Sequence, residues 1–445
     1  MFGDRWEYEF TLRALTPCHI GSGDVEYLTF GGRSDNKTTR VSVVQRDYQG
    51  HPYLAASSLK GALRALARGE TGETSVSEAL FGPAKASTDR SVASRSMGLL
   101  LLRGASLDAR STKPNASMPY VEALDWHHPE RAQDAFIAAR TKIDGRTGTA
   151  DDHKLFFQEM MPAGATFTVR AVLLDHGASG RRARDFWHDV LARLYRDGLM
   201  LGKARADGQG QFEIVGAVKE IRRELSTSGV MVEASSQEIA RNAKEIAPSD
   251  NDRWPFALTC KAPFLIVDSS REGKGKEAGV PQISAQRQSS DQPLLLGSSL
   301  AGVLKARAAW LAKLADLRGD WKSATDEAVG DAIVWLFGDT GQQGRLQIRR
   351  LSARAGSMER LTSLKIDRFS HAPVHGALFT TEAFVETELT FELHLVRRGK
   401  VRGHGRAEEL LGLLVADLQD NGLKLGHGTN RGFGWFKPKG KKHGA

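Results

Sequence analysis

Two segments of the chain share one pattern of hydrophobic and polar positions. Residues 57–65 read SSLKGALRA, and residues 298–306 read SSLAGVLKA. Leu59, Ala62 and Leu63 recur at the spacing of one buried face of a helix, and the second segment repeats that spacing. Both segments are therefore predicted to be a loop that leads into an amphipathic helix.

Further pairs of segments follow in the same order in both halves. They are Leu80-Phe81-Gly82 with Leu336-Phe337-Gly338, 142–146 with 365–368, 165–167 with 389–391, and Leu201-Gly202 with Leu425-Gly426. A conserved order of several pairs predicts one domain present twice. We predict a first domain at 1–222, a linker with one short helix at 223–253, and a second domain at 254–445.

Alternation of apolar and polar residues predicts the strands between these segments. In the first half strands are predicted at 6–15, 41–44, 97–102, 163–174 and 212–215, and a second helix at 184–195. The second half repeats the plan with strands at 256–267, 344–348, 387–396 and a last strand within 426–436, and a helix at 407–421. Residues 17–32 and 269–292 are predicted to be loops, and 108–161 and 351–383 insertions.

The order β-α-β, insertion, β-α-β is typical of the split ferredoxin-like plan. The predicted fold class is therefore α+β, with tandem ferredoxin-like (RRM-like) βαββαβ domains.

Composition adds a constraint on the partner. The chain has 445 residues and a net charge of +9, which favours a polyanionic partner. It has no apolar run near the roughly 20 residues of a membrane span and no apparent signal peptide. The two cysteines do not form a CxxC pair. The expectation is a cytoplasmic protein without a membrane contact.

The helix starts are candidate anion sites. Paired serines stand where helix N-caps are expected, and each helix has a glycine in its first turn, Gly61 and Gly302. The first turn of a helix presents free N–H groups and a positive dipole end to an anion. Tight packing of the helix on a sheet, without a ligand, is the alternative interpretation.

A glycine-rich segment near the end of the chain, 426–435, reads GHGTNRGFGW. Its glycines allow backbone amides to approach a phosphate, and its arginine adds a bidentate donor. Together with 16–23, 53–64, Leu80-Phe81-Gly82 and the segment from Ile366 to Ala377, it resembles the RAMP superfamily of CRISPR effector proteins. The resemblance is to backbone subunits of type III complexes, and the chain resembles a fusion of two of them.

This resemblance implies partners and residue roles. The partners would be a CRISPR guide RNA, the target RNA and other type III effector subunits, including a large polymerase-like subunit. A thumb hairpin from the insertion around Ile366-Asp367-Arg368 would wedge into the guide–target duplex. The implied RNA-binding residues are Ser57, Ser58, Lys60, Arg64, Ser298, Ser299, Lys305, His427, Asn430 and Arg431.

In catalytic members of the family, an aspartate before the Ser-Ser-Leu helix cuts target RNA by attack of a ribose 2′-OH, assisted by a divalent metal. That aspartate would fall near Val41, where there is no acid. The candidates are Asp35 and Asp24 in the first half and Asp268 in the second. Asp35 is the candidate ligand of Mg²⁺ or Mn²⁺, which would be required only if the chain cuts.

Two alternatives remain open from the sequence. The chain could be a metal-independent guide-processing endonuclease of the same superfamily, with His51 or His19 as general base. It could also be a purely structural RNA-binding subunit without chemistry. The long insertions favour the backbone subunit over the processing enzyme.

Overall fold

A computed structural model describes most of the chain. The described residues are 4–29, 38–68, 75–83, 97–108, 135–141, 155–175, 177–203, 206–239, 252–267, 282–289, 292–317, 326–339, 342–396 and 405–439. Among them, no helix combines the length and the hydrophobicity that crossing a bilayer requires.

The first half contains twelve strands and three helices among the described residues. They are β1 (Arg5–Ala14), β2 (Gly21–Thr29), β3 (Thr38–Val44), β4 (Tyr53–Leu54), α1 (Ala56–Arg68), α2 (Ser75–Phe81), β5 (Leu100–Leu102), β6 (Ala105–Ser106), β7 (Phe136–Arg140), β8 (Phe156–Met160), β9 (Thr166–Leu174), α3 (Gly177–Asp197), β10 (Leu199–Met200), β11 (Gln211–Leu225) and β12 (Met231–Ile239).

The described part of the second half contains ten strands and three helices. They are β13 (Arg253–Cys260), β14 (Gln282–Ile283), β15 (Arg287–Ser289), β16 (Gln292–Pro293), α4 (Gly297–Leu317), α5 (Asp326–Phe337), β17 (Leu346–Arg354), β18 (Ser357–Ile366), β19 (Pro373–Val385), β20 (Thr387–Leu395), α6 (Gly405–Asn421), β21 (Leu423–Lys424) and β22 (Trp435–Pro438).

Each half has one main antiparallel sheet with the same strand order. In the first unit the order is β11-β1-β9-β5, and in the second it is β22-β13-β20-β17. Numbered along each βαββαβ unit, both orders are 4-1-3-2, which is the ferredoxin-like arrangement. The prediction of two tandem α+β ferredoxin-like units is therefore confirmed.

Alternation along β1 places the first core on one face of its sheet. Tyr8, Phe10 and Leu12 are buried, whereas Glu9 on the other face pairs with Arg170 of β9. The helices α1 and α3 cover the buried face, and the Trp187 ring of α3 meets the Tyr8 ring edge-on at 5.9 Å. Burial of each such aromatic side chain contributes about 1.5–3 kcal/mol to folding.

The second core repeats this construction with other aromatic residues. Phe256 of β13 stacks on Phe391 of β20 with ring centroids 5.0 Å apart. Leu300 and Leu304 of α4 and Leu414 of α6 are buried against these strands. The sequence repeat between the halves is thus a repeat of the packing.

Smaller sheets flank the first core. Strands β2, β3, β8 and β7 form a four-stranded sheet in which β3 and β8 are parallel, and the ribbon β4–β6 leads into α1. The residues 17–32 were predicted to be a loop, but 21–29 form β2. Backbone pairing with β3, across a register shift between Gly21 and Val25, supplies hydrogen bonds that the turn-like composition does not suggest.

The insertion at 351–383 contains a long hairpin. Strands β18 and β19 pair along most of their length, and β14 adds a short parallel strand beside β19. The turn between the strands is held by Asp367, whose Oδ1 accepts hydrogen bonds from the amides of Phe369 (3.0 Å) and Ser370 (2.8 Å). The Phe369 side chain is 95% exposed at this turn.

Part of the segment 223–253 is not a linker with a short helix. Residues 223–225 end β11 and 231–239 form β12, which pairs with β11. The hairpin is fastened to α3 because Glu220 accepts hydrogen bonds from Arg184 and His188 of α3 and from Gln237 of β12. Residues 240–251 lie outside the described part of the chain.

The two units contact each other directly. Arg253 of β13 donates a 2.6 Å hydrogen bond to the Asp197 carboxylate, and Arg349 donates to the Asp197 backbone oxygen (2.9 Å). Leu294 and Leu296, just before α4, share a buried cluster with Phe136 of β7 and neighbouring side chains of β7 and β8. Polar and apolar contacts therefore both hold the second unit against the first.

Candidate nucleic-acid interface

The start of α1 is a solvent-accessible helix terminus. The helix begins at Ala56, so Ser57 and Ser58 lie in its first turn and not at the N-cap, where the sequence pattern placed them. Ser57 and Gly61 are exposed, and Lys60 is half-buried beside them. Partial burial, together with the nearby Arg64 charge, lowers the pKa of Lys60. A cation and free amides thus occur together at this terminus.

Arg64 and Lys305 have a structural contact that the sequence pattern did not reveal. The Arg64 guanidinium donates a hydrogen bond to the Gly82 backbone oxygen, and the Lys305 amine donates to the Gly338 backbone oxygen at 3.2 Å. Both glycines follow the last residue of a helix, α2 or α5, where backbone oxygens lack helical partners. The structure therefore directs both predicted RNA-binding cations toward a helix C-terminus.

The start of α4 in the second unit faces the first unit. A cavity of about 200 Å³ is lined by Asp207 of the first unit and by Ser298, Gly302 and Lys305 of α4, among other residues. Burial raises the pKa of Asp207, against the opposing charges of Arg140 and Lys305. The carboxylate of a neighbouring unit, and not open solvent, faces this helix start.

The glycine-rich loop of the second unit is an exposed, folded turn. Gly428 (φ 79°) and Gly432 (φ 88°) flank the 3-10 turn Thr429–Arg431, and their left-handed backbone is the reason for glycine there. The Phe433 amide donates to the Gly428 oxygen at 3.1 Å, closing the turn. Asn430 and Arg431 are exposed at its tip.

His427 and Arg431 form one polar group on this loop. The Arg431 guanidinium lies 3.1 Å from the His427 Nε2, and Arg431 also lies over the Phe433 ring at 5.4 Å. Partial burial and the Arg431 charge lower the pKa of His427, so its imidazole is neutral near pH 7. Nε2 of the neutral ring accepts from Arg431, which orients the guanidinium along the loop.

The candidate catalytic acids are not brought together. Asp24 is exposed within β2, and its amide donates to the Ser22 hydroxyl at 3.1 Å. Asp35 and Asp268 lie outside the described residues. Across the described ranges, no group of three or more His, Cys, Asp or Glu side chains is arranged to hold a metal ion. The role of Asp35 as a ligand of Mg²⁺ or Mn²⁺ therefore stays a prediction.

The candidate general bases occupy different environments. His19 is 1% exposed, and its Nδ1 lies 2.8 Å from the Glu159 backbone oxygen. Burial lowers the pKa of His19. His51 is more accessible, and its Nδ1 lies 3.7 Å from an Asp47 carboxylate oxygen. His19 is thus enclosed in the fold, whereas His51 lies in the turn before β4.

Sequence reasoning missed the polar residues that join the elements. Asp207, Gln211 and Glu220 all lie in or beside β11, and each contacts a separate element. A signal was available for the first of these. The glycine-rich segment 202–210 of the first unit has the length of 426–434, but it carries Asp207 where the second unit has Arg431. Opposite charges at one repeated position indicate different neighbours.

Two solved structures contain chains that are similar to part of this chain. The chain is similar to a chain of the apo state of type III-B Cmr-beta, at 16% identity over 47% of this chain and 96% of the other, with a TM-score of 0.32. It is also similar to a chain of the Csm3–Csm4 subcomplex of the type III-A CRISPR-Cas interference complex, at 16% identity over 54% and 92%, with a TM-score of 0.29.

No curated protein matches the chain. The family model of the RAMP superfamily matches residues 11–213 and, separately, residues 258–437. These two matches cover both ferredoxin-like units and most of the chain, so the protein belongs to the RAMP superfamily.

Proposed function

We propose that the chain is a guide-RNA-binding backbone subunit of a type III CRISPR interference complex that holds the guide–target RNA duplex. The observation that carries the proposal is the separate match of both units to the RAMP superfamily. The assignment to a type III complex rests on the resemblance of the sequence to type III backbone subunits. The partners are a guide RNA, a target RNA and other effector subunits.

The accessible cations support RNA binding by phosphate contacts. Lys60 lies beside the exposed first turn of α1, and Arg431 is exposed on the glycine-rich loop. Both positions combine a positive charge with nearby backbone amides, which suits phosphate oxygens. Ser57, Ser58, His427 and Asn430 are proposed to add polar contacts to the same RNA, whereas the predicted Ser298 and Ser299 lie at the α4 start, which faces the first unit.

The long hairpin supports a role for the second unit in holding a duplex. Strands β18 and β19 extend to a turn at which Phe369 is 95% exposed and Ile366 is 55% exposed. Large exposed apolar side chains at a hairpin tip suit contact with nucleobases, whose faces are apolar. We assign this hairpin as the thumb that the sequence resemblance implies.

The experiment measures guide-RNA affinity as a function of salt. Lys60→Ala and Arg431→Ala are expected to weaken binding for all guide sequences, and each is expected to reduce the salt slope by about 0.7–1. Arg170→Ala is the control, because Arg170 is already paired with Glu9 at 2.7 Å on the open face of the first sheet. Unchanged affinity and salt slope in both test variants would contradict the proposal.

A further inference from the structure

The contact between the two units is directional. A loop of the first unit, 206–211, lies against the α4 start and β17 of the second. The Ile348 amide donates to the Ala206 oxygen (3.1 Å), and the Gln211 side chain donates to the Ile348 oxygen (2.9 Å) and accepts from the Arg350 amide (2.8 Å). Different surfaces of the two units meet, so this is a head-to-tail contact.

Both units contain both halves of this contact. The loop of the second unit is held on its own unit as the first loop is. In the second unit the Leu425 amide donates to the Gly434 oxygen (2.9 Å) and the Gly434 amide to the Pro263 oxygen (2.8 Å). In the first unit the Leu201 amide donates to the Gly210 oxygen (2.8 Å) and the Gly210 amide to the Pro17 oxygen (3.2 Å). Within the described part of the chain, neither the loop 426–434 at one end nor the α1 start at the other makes this contact, so each is an unused half of a contact that could repeat between copies.

The α1 start differs from the equivalent α4 start by one methyl group. A Cβ at Gly297 would collide with the backbone oxygen of Asp207, so the internal contact requires glycine there. The position equivalent to Gly297, one residue before the paired serines, is Ala56 in the first unit. The Ala56 Cβ therefore blocks a loop from lying on α1 as the first loop lies on α4.

The charges at the two ends also conflict. Within the chain, Asp207 of the loop faces the cation Lys305. The equivalent loop residue in the second unit is Arg431, and the residue equivalent to Lys305 is Arg64, with Lys60 in place of Ala301. Docking of one copy on another would bring Arg431 to two cations, and like charges brought together at a contact repel each other and oppose binding.

The third difference removes the hydrogen bonds of Gln211. The equivalent residue of the second unit is Trp435, whose indole N–H already donates to the Thr429 oxygen at 3.1 Å. An indole is a donor only, so Trp435 has no group that accepts from a neighbouring amide as Gln211 does. Shape, charge and hydrogen bonding therefore all differ at the free ends.

We propose that this chain does not stack on copies of itself, and that its second glycine-rich loop binds a different chain. The helix start that fits this loop has a glycine at the position of Gly297 and a carboxylate at the position of Lys305. The Asp207 side chain remains 32% exposed in the internal contact, so Arg431 at the equivalent position stays accessible to a guide phosphate as well. The identity of that chain as another subunit of an RNA-guided complex rests on the proposed function. The absence of stacking between copies of this chain does not rest on the proposed function.

The test changes the free ends so that they reproduce the internal contact. The variant Ala56→Gly/Arg431→Asp/Trp435→Gln is expected to form concentration-dependent oligomers in sedimentation velocity without RNA. The wild type is expected to remain a 48.6 kDa monomer up to about 50 μM. The control Ala56→Gly/Trp435→Gln, which keeps the arginine, is expected to remain monomeric, with circular dichroism confirming that all three are folded.

The outcomes separate the two proposals. Wild-type oligomers that Arg431→Asp dissociates, or a triple variant that is folded and monomeric, would overturn the inference. Native mass spectrometry of the complex from the host, which is expected to show one copy of this chain, is a test that does not depend on the variants. Adjacent copies joined through 426–434 in the complex would also overturn the inference. A lack of RNA affinity would overturn only the proposed function.

Discussion

Arg64 and Lys305 stand at equivalent positions of the two units and make the same hydrogen bond. Each donates to the backbone oxygen of the glycine in a Leu-Phe-Gly segment, Gly82 or Gly338. A cation at a helix C-terminus satisfies an unpaired carbonyl and interacts favourably with the helix dipole. The repeat has therefore kept this contact, although the side chain that makes it differs between the halves.

We expect Arg64→Ala to lower the free energy of unfolding by about 1–2 kcal/mol, because the Gly82 oxygen loses its charged donor. Arg64→Lys is the matched control and is expected to retain most of the stability, since the second unit uses lysine at this position. Urea denaturation measures both. Equal losses in the two variants would show that the hydrogen bond to Gly82 does not provide the stability.

A second prediction concerns Glu220, whose side chain is fully buried. Arg184, His188 and Gln237 all donate to it. Burial raises the pKa of Glu220, but the hydrogen bonds from these donors outweigh burial and hold the pKa well below the usual range. A depressed folded-state pKa stabilises the fold above the unfolded value, about 4.3, and this stabilisation is lost as the pH falls toward the folded-state value.

Glu220→Gln is expected to lower the free energy of unfolding by about 2–4 kcal/mol near pH 7, with a smaller difference from wild type below about pH 4. Glu224→Gln is the control on the same strand, since Glu224 pairs with Arg222 at an exposed site and is expected to matter by less than about 1 kcal/mol. A pH-independent difference for Glu220→Gln would mean that the charge of this carboxylate does not stabilise the hairpin.

The strand order of both units was predictable, because the alternation of apolar and polar residues and the repeated segments both indicate a βαββαβ unit present twice. Strands such as β1 and β9 have one buried and one exposed face, so their period is visible in the sequence. The hairpin strand β12 was not predictable, because nearly all of its side chains are exposed and it carries no alternation. Backbone pairing with β11 and the contacts of Glu220 determine its structure instead.

The candidate site was predictable in part. The glycine-rich loop was identified from its glycines, and the structure shows Gly428 and Gly432 in the left-handed conformation that favours this residue. The contact of Lys305 with Gly338 was not predictable, because it depends on the packing of α4 against the end of α5. Asp207 was missed for the same reason, since its charged neighbours Arg140 and Lys305 are both distant from it in the sequence.

A third prediction concerns the junction. Gln211→Leu is expected to lower the free energy of unfolding by about 1–3 kcal/mol, because leucine neither donates to the Ile348 oxygen nor accepts from the Arg350 amide. Amide hydrogen exchange is expected to become faster at Arg350, whose amide Gln211 binds at 2.8 Å. Glu213→Gln, at an exposed pair with Arg13 on the same strand, is the control. Unchanged exchange at Arg350 would contradict the role of Gln211.

The last prediction concerns cutting of target RNA, which the sequence resemblance implies and which we propose in addition to RNA binding. We expect Asp35→Ala to abolish one cut that needs added Mg²⁺ or Mn²⁺, and to leave guide and target binding intact. Asp268→Ala is expected to abolish a second cut in the same way. Attack by the 2′-OH next to the scissile phosphate leaves a cyclic phosphate on the 5′ product.

Asp24→Ala is the comparison, because the structure shows this third candidate exposed in β2, with no group of metal-binding side chains among the described residues. Mapping the target fragments from wild type and the three variants decides among the acids. Loss of a cut in Asp24→Ala alone would transfer the role from the loop to β2. Unchanged fragments in all three variants would assign the cutting to another subunit, because a carboxylate that removes the 2′-OH proton cannot be replaced by alanine without loss of rate.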